Sequence, residues 1–99
     1  MEGCQTDIRY HFTNKLENCR PEEIIDGEEE CIKASIELGL RYIRNVTRYK
    51  SPSGCYAKAA KFAHFNTILN PNLTDTSAFA NEVAICRCPG SLDYYHQMI

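Results

Sequence analysis

The stretch DGEEECIKASIELGLRYIRNVTRYK, Asp26 to Lys50, decides how this chain is read. Apolar residues fall at Ile32, Ile36, Leu40, Ile43 and Val46. Steps of four, four, three and three keep them on one face of a helix. A second stripe, Cys31, Leu38, Tyr42 and Tyr49, widens that face, as expected for a helix with neighbours on two sides. Asp26 is placed to cap the helix, and Glu28, Glu29 and Glu30 suit its positive end. Arg44, Arg48 and Lys50 suit the negative end. Gly39 falls mid-helix, where it costs about 1 kcal/mol against Ala and marks close approach of a neighbouring helix. Ser51-Pro52-Ser53-Gly54 ends the element.

Other segments are patterned to pack against it. Ile8, Phe12, Leu16 and Cys19 predict a helix from Thr6 to Cys19, closed by Arg20-Pro21. Cys55, Ala59, Phe62, Phe65 and Leu69 predict a third helix from Gly54 to Leu69. Phe79, Val83 and Cys86 predict a fourth from about Asp75 to Cys86. The tail, about residues 91–99, has no clear period and is expected to be flexible. Strand-type alternation is not evident. The expected fold is all-α, a single domain over residues 1–99, built as a small antiparallel four-helix bundle.

Composition sets the class. Ninety-nine residues with 43 % hydrophobic content and no Trp can bury one modest core, which gains from covalent staples. A net charge of −2 does not suggest a nucleic-acid partner. No apolar run approaches the roughly 20 residues that span a bilayer. No secretory leader is recognisable, so the chain reads as a mature form.

The six cysteines, Cys4, Cys19, Cys31, Cys55, Cys86 and Cys88, predict three disulfides and an oxidising, extracellular setting. Zinc spacing is missing, since the close pair Cys86-Arg87-Cys88 has one residue between and no adjacent His. Asn45-Val46-Thr47 and Asn72-Leu73-Thr74 are acceptor tripeptides for glycosylation. In an up-down bundle Cys19 and Cys31 share one end, while Cys4, Cys55, Cys86 and Cys88 share the other. That topology predicts Cys19–Cys31, with Cys4 and Cys55 each bonded to Cys86 or Cys88.

No catalytic, cofactor or metal residue is predicted. His11, His64 and His96 stand in different segments and read as surface histidines. No G-x-S-x-G, P-loop or H-E-x-x-H motif occurs, and no thiol is expected to be free for nucleophilic work. The chain is therefore expected not to be an enzyme. Charge is unevenly spread instead. Glu28, Glu29 and Glu30 belong to an acidic run, and Arg41, Arg44, Arg48, Lys58 and Lys61 to a basic one. These and the tail aromatics Tyr94 and Tyr95 are the candidate partner-binding residues.

The six-cysteine helical design, with Gly54-Cys55-Tyr56 entering a helix, resembles the mating pheromones of Euplotes ciliates. The resemblance implies a water-borne signal that binds a cell-surface receptor and self-associates. The expected function is thus a secreted, pheromone-like signal or effector that acts by receptor binding. One alternative is a carrier of a small apolar ligand held between Ile43, Phe62, Phe65 and Phe79. A second is a toxin or antimicrobial protein, which would usually be cationic.

Overall fold

The computed structural model describes residues 9–14, 17–68 and 81–88. It overturns the four-helix bundle. In chain order the elements are β1 (Tyr10–Phe12), a 3-10 turn (Pro21–Glu23), α1 (Glu28–Glu37), β2 (Arg41–Val46), β3 (Gly54–Lys58), β4 (Phe62–Asn66) and β5 (Glu82–Arg87). The five strands form one sheet in the order β1-β5-β3-β4-β2. All neighbours are antiparallel except β2 and β4, which run parallel.

The predicted central helix is half helix and half strand. Its N-cap is Gly27, not Asp26, and no side chain caps it. It stops at Gly39, which takes φ +74°. There Gly39 N–H bonds the Ile36 carbonyl at 3.2 Å and Leu40 N–H reaches back to Ser35 at 2.8 Å. This is the Schellman arrangement, which needs a left-handed residue just past the helix. Gly39 is thus a stop signal, and no neighbour lies within 4 Å of where its Cβ would be. Beyond it, the aromatic and β-branched residues Tyr42, Ile43 and Val46 favour a strand.

The inner face of α1 also differs from expectation. Cys31, Ala34 and Ser35 are buried, while Ile36 is 71 % exposed. Small residues meet across the helix–sheet contact: Ala34 on α1, Ala57 on β3 and Ala63 on β4, with Ile25 and Ile85 completing the core. Of the predicted first helix, Tyr10–Phe12 form strand β1, and its other described residues, 9, 13, 14 and 17–19, lie in no helix or strand. The predicted third helix is the β3–β4 hairpin, turning at Ala59 and Ala60, both with positive φ. Gly54-Cys55-Tyr56 therefore opens a strand. The described end of the predicted fourth helix is β5.

Two disulfides join described residues, Cys19–Cys86 and Cys31–Cys55. Cys88 is disulfide-bonded as well, to a partner outside the described residues. The predicted Cys19–Cys31 bridge and the bond from Cys55 to Cys86 or Cys88 are therefore corrected. Their premise was that Cys19 and Cys86 cap opposite ends of a bundle, whereas a sheet sets them side by side. Sequence separations of 67 and 24 residues make these bridges worth about 4 and 3.5 kcal/mol in the chain-entropy model. Cys4, Asn72, Phe79, Tyr94, Tyr95 and His96 lie outside the described residues.

Candidate functional site

Alternation along the strands gives the sheet two unlike faces. Cys55, Ala57, Ala63, Phe65 and Ile85 turn toward α1. The opposite face carries the chemistry. His11 stands opposite Cys86, Lys58 opposite Glu82 and Phe62, and Tyr56 opposite both Ala84 and His64. Tyr56 and His64 stack with ring centroids 5.3 Å apart.

The centre of this polar face is buried, while Lys58 and Phe62 at its rim are exposed. Glu82 is 1 % exposed and His64 8 % exposed. Among the described residues, both oxygens of Glu82, the Tyr56 hydroxyl, Ser51 Oγ and His64 Nδ1 have no hydrogen-bond partner of good geometry, although Ser51 stands near enough to act on both Glu82 and Tyr56. Burial pushes the Glu82 carboxyl above its ordinary range, although the nearby Ser51 hydroxyl, Lys58 and Arg48 pull it down. Burial lowers His64, and the cations Arg48, Lys58 and Arg44 lower it further. The Tyr56 phenol is raised, chiefly by burial. None of these groups carried a local signal. On sequence alone, His64 reads as a surface histidine, Tyr56 reads only as part of a helix entry at Gly54-Cys55-Tyr56, and no motif surrounds Glu82.

The segment leading into β3 is fixed from beneath. Residues 51–57 are all buried. Asn66 Nδ2 donates to the carbonyls of Arg48, Ser51 and Pro52 at 2.8, 3.1 and 3.0 Å. Its Oδ1 accepts from the N–H groups of Arg48 and Ile68 at 3.0 and 3.2 Å. One side-chain amide thus replaces the backbone ladder that a loop lacks.

Two of the three predicted acidic residues, Glu28 and Glu30, serve the fold. Glu28 accepts from Tyr42 at 2.6 Å and from Asn45, tying α1 to β2. Burial, then the Glu28 hydrogen bond, pushes the Tyr42 phenol upward. Glu30 accepts from both Arg87 donors, with Nε at 3.2 Å, and from Tyr10 at 3.4 Å, tying α1 to β5 and β1. Arg87 is raised by that bond first. A cleft of about 540 Å³, lined by Tyr10, Asp26, Glu29, Glu30, Lys33 and Arg87 among others, lies at this end. Glu29 is exposed. Glu37 pairs with Arg9 at 3.4 Å, and Glu23 with His11 at 3.2 Å.

The predicted basic residues are arranged differently. Arg41 and Arg44 lie on the edge strand β2, Lys58 ends β3, Lys61 is in the hairpin turn, and Arg48 follows β2. Arg41 N–H bonds the Lys61 carbonyl at 2.9 Å, and Arg44 stands opposite His64. Among the described residues, no carboxylate forms an ion pair with any of the five. The acceptor Asn45 is exposed on the same strand.

Among the described residues, the apolar cleft expected for a carried ligand is not assembled, and Phe79 lies outside them. Ile43 and Phe62 are exposed, and Phe65 turns to the opposite face from Phe62. Among the described residues no helix is long and apolar enough to cross a membrane. No protein-family model, curated protein or solved structure matches this chain.

Proposed function

We propose that the protein is a secreted signal or effector that binds an acidic surface of a cell-surface receptor. Its contact surface is the basic strip formed by Arg41, Arg44, Arg48, Lys58 and Lys61. The allocation of charge carries this reading. Among the described acids, Glu23, Glu28, Glu30 and Glu37 are each held by a side chain of the same molecule, while Glu22 and Glu29 stay exposed. No carboxylate among the described residues pairs with any of the five bases, although the chain as a whole is slightly acidic. Cations clustered on and around an edge strand attract an acidic partner over several ångströms and set its orientation on approach. Disulfide staples and an exposed acceptor asparagine are compatible with an extracellular life.

The test is binding of labelled protein to cells of its source across a salt series. Wild type is compared with Arg41→Glu, Arg44→Glu and Lys58→Glu combined. The reading predicts saturable binding that weakens with salt and is lost in the triple variant, with unchanged circular dichroism. Binding that ignores both salt and charge reversal would contradict it. A shift to dimer with concentration, lost in the same variant, would make the acidic partner a second copy of this chain.

A further inference from the structure

At the β1 side of the polar face, His11, Glu23 and Cys86 bring Nε2, a carboxylate oxygen and Sγ within 4.8 Å of one another. Three separate elements place them there. β1 sets His11 opposite Cys86 of β5, and the 3-10 turn carries Glu23. Ile24 packs against the Cys19–Cys86 bridge and holds that turn on the sheet. His11 Nε2 lies 3.2 Å from Glu23 Oε1. Glu23 is 2 % exposed, and its other oxygen, Oε2, has no hydrogen-bond partner among the described residues. A buried carboxylate oxygen left in this way is costly unless a cation meets it. A pocket of about 460 Å³ is lined by His11, Glu23, Cys19 and Cys86 together with neighbouring loop residues, which gives an ion a way in.

We propose that reduction of the Cys19–Cys86 disulfide turns this cluster into a four-ligand zinc site. Its ligands are the thiolates of Cys19 and Cys86, the imidazole of His11 and the carboxylate of Glu23. Two sulfurs, one nitrogen and one oxygen suit tetrahedral zinc. While the bridge is closed neither sulfur is a thiolate, so the gate is redox. A dithiol reductant supplies two electrons and two protons. The S–S bond breaks, both cysteines become thiols, and the reductant leaves as its own disulfide. Zinc then displaces the two thiol protons and bonds both sulfurs. The unoxidised chain has the same four ligands. There the ion would hold Cys19 and Cys86, 67 residues apart, side by side until oxidation joins them. Cys31–Cys55 has no such company. It is fully buried between α1 and β3, and no second group of three ligands occurs among the described residues.

The test is titration with zinc alone against a chromophoric chelator. The chain is used oxidised and after reduction by a non-chelating phosphine. The variants are His11→Asn, Glu23→Gln and the double variant Cys31→Ala/Cys55→Ala. The site predicts one zinc per reduced chain and none per oxidised chain. It also predicts weakening of about tenfold or more in His11→Asn and in Glu23→Gln, with retention in the double cysteine variant. Cobalt in place of zinc should give thiolate-to-metal absorption with the same dependence. Three results would overturn the proposal: equal uptake by the oxidised chain, no uptake after reduction, or uptake indifferent to His11 and Glu23. The last is what the loose thiols of an unfolded chain would give.

Discussion

A Cβ placed on Gly54 would lie 2.7 Å from the carbonyl oxygen of Ile25. Gly54 also has φ +75°, so any side chain there meets strain as well as collision. This contact seats the first residue of β3 on the chain entering α1. Gly54→Ala is expected to destabilise the protein by about 2–3 kcal/mol. The check is the denaturant midpoint at constant slope. Gly27→Ala is the comparison: nothing lies within 4 Å of its Cβ position, so it should cost less, about 1 kcal/mol from the poorer N-cap.

Asn66 is the second point of closure. Its amide serves three carbonyls and accepts from two N–H groups. Asn66→Ala strands these groups in a buried loop and should cost about 3 kcal/mol. Asn66→Asp keeps the acceptor and loses the donors. Hydrogen exchange in both variants should accelerate first at residues 48–54.

The β3–β4 turn carries an opportunity. Ala59 and Ala60 both sit at positive φ, 57° and 56°. Left-handed alanine costs roughly 1–2 kcal/mol per residue, and tight hairpin turns of this kind favour Asn-Gly. Ala59→Asn with Ala60→Gly should therefore raise stability by about 1–2 kcal/mol. A higher melting temperature with an unchanged spectrum is the expected reading.

The polar face gives two opposite pH dependences. Folding raises the Glu82 carboxyl above its ordinary 4.5, chiefly by burial. The native state then keeps a proton that the unfolded chain has released. Stability from this group is full below pH 4.5 and is lost as pH rises through the raised value. Glu82→Gln should accordingly be more stable than wild type at neutral pH and match it in acid. His64 runs the other way. Burial and then Arg48, Lys58 and Arg44 lower it from 6.5. The unfolded chain takes up the proton first, so stability falls as pH drops below 6.5 toward the lowered value. His64→Gln should flatten that acid-side loss. Urea midpoints across pH check both.

Part of this architecture is legible in the sequence. The acidic start of α1 and its run to Glu37 can be read from Glu28, Glu29 and Glu30 and the residues after them. Its end cannot be read from spacing alone. Leu40, Ile43 and Val46 fit a helical period, although they belong to a loop and a strand. The decisive sign is Gly39 followed by Tyr42, Ile43, Val46 and Thr47, a stop signal and then residues that suit a pleated surface. In the hairpin, alanines at 57, 59, 60 and 63 satisfy either period, which hides the alternation of Cys55 and Ala57 with Tyr56 and Lys58. Cysteine number pointed to disulfides, and two of them join described residues. Their pairing cannot be read without the fold, because Cys19 and Cys86, at opposite ends of a bundle, meet at the sheet. Glu82, Tyr56 and His64 could not be grouped from sequence. They come from three strands, and only the sheet register brings them together.

Disulfide mapping tests the fold most directly, because bundle and sheet require different bonds. Non-reducing proteolysis and mass spectrometry should return peptides joined as Cys19–Cys86 and Cys31–Cys55, with Cys88 in a third linkage. A peptide joining Cys19 to Cys31 would contradict the sheet, and with it the polar face and the zinc ligands assembled on it.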